Sequence, residues 1–354
     1  MTNQLPHIIK HWFTQRDNYQ WVLGSIYKTE GPTYRKAGAM MLLNDGGQKL
    51  GLLSGGCLES DIHKHAMHVI HSKKSMALCY DGSDEDDVSF QLGIGCGGTV
   101  HLMLQPILAE NNYLNLLAAH AALTQRKCGT LFQKIPDASG EVSTFFVDQD
   151  DTRDTSPLMH MSGRSASLIT QNNELWLASE ISPSPHMLIV GGGVDARPLV
   201  NLASNIGWEV TLCDPRPANA RREHFLSANT ITRVPIKNLA SEVSKCRINA
   251  AVVMTHNLQM DADAIQALQD SSIKYLALLG PESRKINVLN LAGLDHSTLR
   301  IPVAGPAGLN IGAELPEGIA LSILAECYAV LHSVNPDSFN TNFELSAHSR
   351  GEGI

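Results

Sequence analysis

Residues 187–196 read Met-Leu-Ile-Val-Gly-Gly-Gly-Val-Asp-Ala, an apolar run that breaks into three glycines and closes on a small residue. A short run with no polar alternation predicts a strand buried on both faces. Gly191-Gly192-Gly193-Val194-Asp195-Ala196 then fits G-x-G-x-x-[G/A] at a strand-to-helix junction. In that pattern the first glycine makes the tight turn, the second lets a phosphate approach the main chain, and the small last residue allows close helix packing. Free N–H groups at the following helix start would face an anion. Asp214 ends the next apolar run, 21 residues beyond Gly193, where such folds place the acid that hydrogen-bonds a ribose hydroxyl. The competing reading is a glycine turn kept for packing alone.

Working outward, EVTLC at 209–213, AAVVM at 250–254 and IKYLALL at 273–279 repeat the buried-strand signature, with helix-length stretches at Arg197–Ile206 and Asp261–Gln269 between them. Strand and helix in alternation imply a parallel sheet with right-handed crossovers. The fold class expected is α/β: a C-terminal Rossmann-like parallel-sheet domain over 186–333 and an N-terminal α+β domain over 1–182. Ser182-Pro183-Ser184-Pro185 reads as the linker. In the first half, Trp21–Ile26 and Ala39–Leu43 read as strands, Cys57–His71 as a helix, and 129–180 as several short strands. Asp148 to Thr155 is expected to be an exposed loop, and 334–354 a tail with few apolar residues.

With 354 residues, 43% of them hydrophobic and 18% charged, the chain has material for two sizeable cores. Against 27 basic residues stand 35 acidic ones, a net charge of −8 without any dense basic run, which excludes a nucleic-acid scaffold. No apolar stretch approaches a membrane span or the core of a secretory signal, so a cytoplasmic protein with no membrane partner is expected. The seven cysteines include no Cys-x-x-Cys pair and are expected to be free thiols.

Two of those thiols sit among glycines. Ser54-Gly55-Gly56-Cys57-Leu58-Glu59 is a glycine turn opening into a helix, where the backbone dipole favours thiolate and makes Cys57 a better nucleophile or soft-metal ligand. Gly93-Ile94-Gly95-Cys96-Gly97-Gly98 packs four glycines around Cys96, an amide-rich cradle for an anionic group. The plainer reading of both is a small residue filling a tight turn. Cys79, Cys128, Cys213, Cys246 and Cys327 lack such surroundings and read as structural. Arg35, in the loop Gly31–Lys36, is placed to pair with phosphate or with a partner's carboxylates, or to decorate a polar hairpin. The histidines at 63, 65, 68 and 71 read as a solvated helix face, and Asp84–Asp87 as an exposed turn. Gly305 to Gly312 leads into an apolar-faced helix over Glu317–Val330 and can wall a pocket.

Together these blocks resemble the XdhC/CoxI family, accessory proteins of xanthine dehydrogenase and related molybdenum hydroxylases. The resemblance rests on Gly31 to Arg35, Gly38-Ala39-Met40, Ser54 to Glu59 and Gly93 to Gly98 in the first half. In the second it rests on Gly191 to Ala196, Asp214, Thr255-His256-Asn257, Gly280 with Arg284, Pro306 to Gly312 and Ala320 to Glu326. Pro32 stands where the family commonly has Ser, Asn310 where Asp is common, and Gly318 where an acid is frequent.

The resemblance implies a chaperone that binds molybdenum cofactor, as molybdopterin or its dinucleotide form. It would protect the cofactor while a cysteine desulfurase supplies sulfur, then deliver it to an apo molybdenum hydroxylase of xanthine dehydrogenase type. It also implies a homodimer. The cofactor-binding residues expected are Arg35, Ser54, Gly55, Gly56, Cys57, Glu59, Gly95, Cys96, Gly97, Gly191, Gly193, Asp195, Asp214 and His256, with Cys57 and Cys96 as molybdenum contacts. A different class, an NAD(P)-dependent oxidoreductase using the Rossmann domain, is favoured by the glycine pattern and Asp214. Against it, no Tyr-x-x-x-Lys and no His/Asp pair follows the fingerprint in sequence, His256 beside Thr255 being the one candidate proton carrier. A thiol enzyme using Cys57 with a spatially adjacent His is the third reading.

Overall fold

The computed structural model describes residues 3–56, 58–82, 97–150, 165–295 and 297–335. The Asp84–Asp87 cluster, most of the 148–155 loop and nearly all of the 334–354 tail lie outside the described residues, as do Cys57, Gly95 and Cys96. The chain forms two compact units, Met1–Ser184 and Pro185–Ile354.

In the first unit, α1 (Leu5–Gln15) precedes β1 (Trp21–Glu30), β2 (Met40–Asn44), β3 (Lys49–Gly51), α2 (Glu59–Ser72), β4 (Met76–Asp81) and β5 (Thr99–Ile107). There follow α3 (Leu116–Thr124), β6 (Gly129–Lys134), β7 (Thr144–Asp148), β8 (Ala166–Gln171) and β9 (Glu174–Ile181). Two antiparallel sheets result, in the orders β3-β2-β1-β5-β4 and β7-β6-β9-β8. The central strands β1 and β2 are apolar on both faces because α2 covers one face, through Ile62, Ala66 and Val69, and α1 the other, through Ile8, Ile9 and Trp12.

A fully buried polar chain joins the two sheets. Gln133 Nε2 of β6 donates to Gln105 Oε1 of β5 at 2.8 Å and to Ser25 Oγ of β1 at 3.1 Å. Satisfied networks of this kind fix one arrangement, because any slip would leave a buried amide unpaired.

The second unit is doubly wound. Its strands β10 (His186–Val190), β11 (Glu209–Cys213), β12 (Thr230–Thr232), β13 (Ala250–Val253), β14 (Tyr275–Leu278) and β15 (Val303–Ala304) are all parallel, in the order β12-β11-β10-β13-β14-β15. Counted from β10 this is 3-2-1-4-5-6, the dinucleotide-fold order, which reverses direction between β10 and β13.

Alternate residues of each strand serve opposite faces. Met187, Ile189, Val210 and Val252 pack with α4 (Ala196–Asn205) and, through Ile323 and Cys327, with α8 (Pro316–Leu331). Leu188, Val190, Ala251 and Leu276 pack with α5 (Leu239–Cys246), α6 (Leu258–Leu268) and α7 (Glu282–Leu291). The Rossmann-like sheet and the α+β first half expected from the sequence are therefore both present. Among the described residues no helix is long and apolar enough to cross a membrane.

Candidate functional site

In the second unit, the crevice outside the strand ends at the β10/β13 reversal is where open parallel sheets bind ligands. Gly191 leaves β10 at φ +121°, and a Cβ there would lie 2.3 Å from the Met254 carbonyl oxygen. A Cβ on Gly192 would lie 2.4 Å from the Ala220 nitrogen. Both glycines are thus required by backbone packed directly on them.

Asp214, fully buried, accepts from Gly192 N at 2.8 Å, Asn219 Nδ2 at 3.0 Å, and Arg216 N, Nε and Nη2 at 2.9, 2.9 and 2.8 Å. Burial alone would raise its pKa. The Arg216 guanidinium and these N–H donors override that and hold it lowered, from 3.8 to about 2. A carboxylate offers about four lone-pair sites, so a ribose hydroxyl could bond here only by displacing a present donor. The sequence singled out Asp214 but not Arg216, whose position two residues further on, after Pro215, is the only local sign of the clamp.

Asp195 is the residue before α4. Its Oδ1 lies 2.6 Å from where a Gly193 Cβ would be, and its Oδ2 lies 2.6 Å from His256 Nε2. The protein's own carboxylate therefore stands where the fingerprint leaves room for phosphate, stabilised by the positive end of the helix. The sequence reading found no His/Asp pair; the fold makes one from residues 61 apart.

His256 sits at φ +61°, a left-handed conformation uncommon outside glycine. The turn that carries it is fixed from below. Buried Asp261 accepts from Thr255 N at 3.1 Å, Thr255 Oγ1 at 2.6 Å and Arg284 Nη2 at 2.6 Å, and Asn257 Oδ1 caps α6 through Met260 N at 2.9 Å. Asp261, not anticipated as a site residue, orients the histidine without touching it.

The pair opens on an apolar crevice of about 300 Å³, walled by Leu199, Met254, Leu279, Ile319, Ala320 and Ile323. Through Leu279, Gly280 and Ile319 it adjoins a second cavity of about 500 Å³ under the Pro306–Ala313 loop, which does wall a pocket as expected. Glu326 Oε2 seats that loop, accepting from Gly308 N at 3.0 Å and from Tyr275 Oη at 2.6 Å. Burial, then the Glu326 carboxylate, raises the Tyr275 hydroxyl pKa, so the phenol stays a donor. Burial also pushes the Cys213 thiol up to about 12 and raises Cys327, which keeps both protonated and unreactive.

The first unit gathers three of the segments quoted from the sequence at one end of its five-stranded sheet. A Cβ on Gly98 would lie 2.2 Å from the Pro32 carbonyl oxygen, and one on Gly55 would lie 3.8 Å from the Tyr34 ring. The 31–35 loop is thereby in contact with both the 97–98 segment and the 54–59 turn. Half-buried Arg35 lies in that loop, its carbonyl accepting from Thr33 Oγ1 at 3.0 Å.

Ser54 organises the turn. Its hydroxyl donates to Glu59 Oε2 at 2.6 Å and accepts from Gly56 N at 3.1 Å and Leu58 N at 3.2 Å, while Ser54 N donates to Glu59 Oε1 at 3.0 Å. Glu59 is itself buried, so Ser54 and Glu59 build the turn from within. Gly56 (φ +112°) and Gly97 (φ +64°) are exposed, with no described atom within 4 Å of a Cβ built on either. Among the described residues no group of three or more His, Cys, Asp or Glu could hold a metal ion, and the α2 histidines form none.

A doubly wound parallel-sheet unit with a crevice at its switch point, together with an α+β unit of two antiparallel sheets and exposed glycine turns, defines the class of this two-unit protein. Residues 187–327 match the family model of the XdhC Rossmann domain, and residues 14–81 that of the XdhC and CoxI family. A Bacillus subtilis protein named as a probable xanthine dehydrogenase component is 32% identical over 88% of this chain and 93% of its own length. The molybdenum cofactor insertion chaperone PaoD of Escherichia coli is 23% identical over 90% and 85%. A solved structure described as a xanthine dehydrogenase from Bacillus halodurans superposes with a TM-score of 0.75 at 28% identity, covering 95% of this chain and 97% of that one. The chain belongs to the XdhC and CoxI family.

Proposed function

We propose that this protein binds molybdenum cofactor and serves the maturation of a xanthine dehydrogenase-type molybdenum hydroxylase, holding the cofactor during sulfuration by a cysteine desulfurase and passing it to the apo-enzyme. The observation that carries the reading is the meeting of the 31–35, 54–59 and 97–98 segments at one sheet end, in a chain whose relatives include a named cofactor insertion chaperone. The residues fit the group. Gly56 and Gly97 leave the main chain open, so a phosphate can reach amides there, and Ser54 with Glu59 holds the turn ready before the guest arrives. Arg35 supplies a cation in the 31–35 loop that contacts both segments. Cys57 and Cys96, borne by the same two glycine segments, are assigned the soft contacts to molybdenum or dithiolene sulfur. When bound, the cofactor brings the metal chemistry that the client enzyme uses. This chain's part is to bind, orient and shield, as a homodimer.

Anaerobic titration of the full chain with molybdenum cofactor should give near-stoichiometric retention, weakened at least about tenfold in Cys57→Ala or Cys96→Ala. No retention by the intact protein contradicts the proposal. A dinucleotide-dependent oxidoreductase is the weaker reading, because Asp214 is fully engaged and Asp195 faces the place a diphosphate would take.

A further inference from the structure

The crevice at the β10/β13 reversal combines features that do not suit the ligand its glycine pattern suggests. A diphosphate on the Gly191–Gly193 turn would meet the Asp195 carboxylate, which lies against Gly193 without capping α4 and repels anions. The walls behind that carboxylate are aliphatic, and among the described residues Asp195 and His256 are the only charged or polar side chains lining the space. An alkylammonium ion would lose its hydration against Leu199, Leu279 and Ile319 with a single acceptor to repay it. A flat, uncharged heterocycle loses little there, provided the one edge it turns to Asp195 carries hydrogen-bond donors.

We propose that this crevice recognises the 2-amino-4-oxopyrimidine edge shared by pterins and guanine, with Asp195 accepting from the ring N–H and the exocyclic amine side by side. Two adjacent donors on a planar edge match the two carboxylate oxygens as a guanidinium does. The carboxylate keeps capacity for them, since His256 takes one of about four lone-pair sites. His256 keeps the carboxylate turned toward the crevice, being held in its left-handed turn by the Thr255–Asp261–Arg284 bonds. The cavity of about 300 Å³ lies at the lower end of small-molecule sites, room for a ring system, and the adjoining 500 Å³ leaves space for what the ring carries.

The inference rests on the cofactor-binding reading above, and deepens it by naming the chemical edge that the second unit's own crevice takes. It is tested without the metal. The full chain is titrated by calorimetry with pterin against lumazine, and with guanosine monophosphate against xanthosine monophosphate, each pair differing by an amine exchanged for an oxo group. In at least one pair the amino member should bind at least about tenfold tighter, and the pair in which it does so identifies the source of the edge. Asp195→Asn, which offers an amide of the same shape, should abolish that preference. Equal binding within both pairs, or a preference that survives Asp195→Asn, overturns the inference. The ligand pairs probe the unaltered protein, so the conclusion stands even where the variant folds poorly. Retention of intact molybdenum cofactor with no amino preference would leave the functional reading standing and remove only this one; a pterin preference without cofactor retention would do the reverse.

Discussion

The glycine-rich turns of the two units have similar composition and opposite physical uses. At Gly191–Gly192 every missing Cβ makes room for the protein's own backbone, Met254 on one side and Ala220 on the other. At Gly56 and Gly97 the missing Cβ faces no described atom. Gly191, Gly56 and Gly97 all take positive φ, but glycine in the first case permits packing and in the second permits access. A glycine pattern alone therefore reports that close approach happens, but not whether the visitor is a ligand or the chain itself.

The contrast is easiest to break with alanine. Gly191→Ala should cost about 3 kcal/mol or more, since the new methyl meets backbone at 2.3 Å in a conformation unfavourable to it. Urea unfolding that shows Gly191→Ala as stable as the parent would refute the closed-turn description.

Next comes the clamp behind that turn. Asp214→Asn leaves Arg216 without its counter-ion and should cost about 2 to 3 kcal/mol, tempered by the guanidinium's partial exposure. Because the folded pKa of Asp214 is lowered from 3.8 to about 2, its contribution is complete above roughly pH 4 and disappears as pH falls toward 2. Thermal midpoints of parent and variant should therefore converge through that window, and a constant gap down to pH 2 would argue against a charged clamp.

In the open turn the largest effect belongs to Ser54→Ala, which removes the bond to buried Glu59 and the acceptor for two amides, at about 2 kcal/mol. Differential scanning calorimetry of the variant should show the loss, together with weaker cofactor retention. Gly97→Ala should be mildest, about 1 kcal/mol, the cost of a left-handed alanine without a clash. A Gly97→Ala loss as large as that of Gly191→Ala, read in the same urea series, would erase the distinction between the turns.

Much of the second unit was legible as sequence because its strands are buried on both faces. The runs at 187–190, 209–213, 250–254 and 273–279 coincide with β10, β11, β13 and β14 within one or two residues, and the helix starting near 317 with α8. Edge strands β12 and β15, of three and two residues, are too short to carry a period and went unread. In the first unit, α1, β3, β4, β5 and α3 also go unread: β5 lies beside a glycine loop that masks its start, and α1 is a polar-speckled amphipathic segment.

At the site, single residues were legible and pairings were not. Asp195 and His256 were each named, yet their contact depends on the order in which β10 and β13 lie side by side. The same holds for the Ser25–Gln105–Gln133 chain, whose members meet only once two sheets are packed. The pattern makes the place of Asp214 legible and suggests a ligand's task for it, whereas the five donors around it emerge only from the fold.

The central claim is that this chain holds a molybdenum cofactor. Protein purified without oxygen from a molybdate-fed host, denatured and examined by mass spectrometry for released small molecules, should yield molybdopterin or its dinucleotide form in near-equal amount to the chain. Finding NAD(P) alone, or no pterin at all, would contradict it.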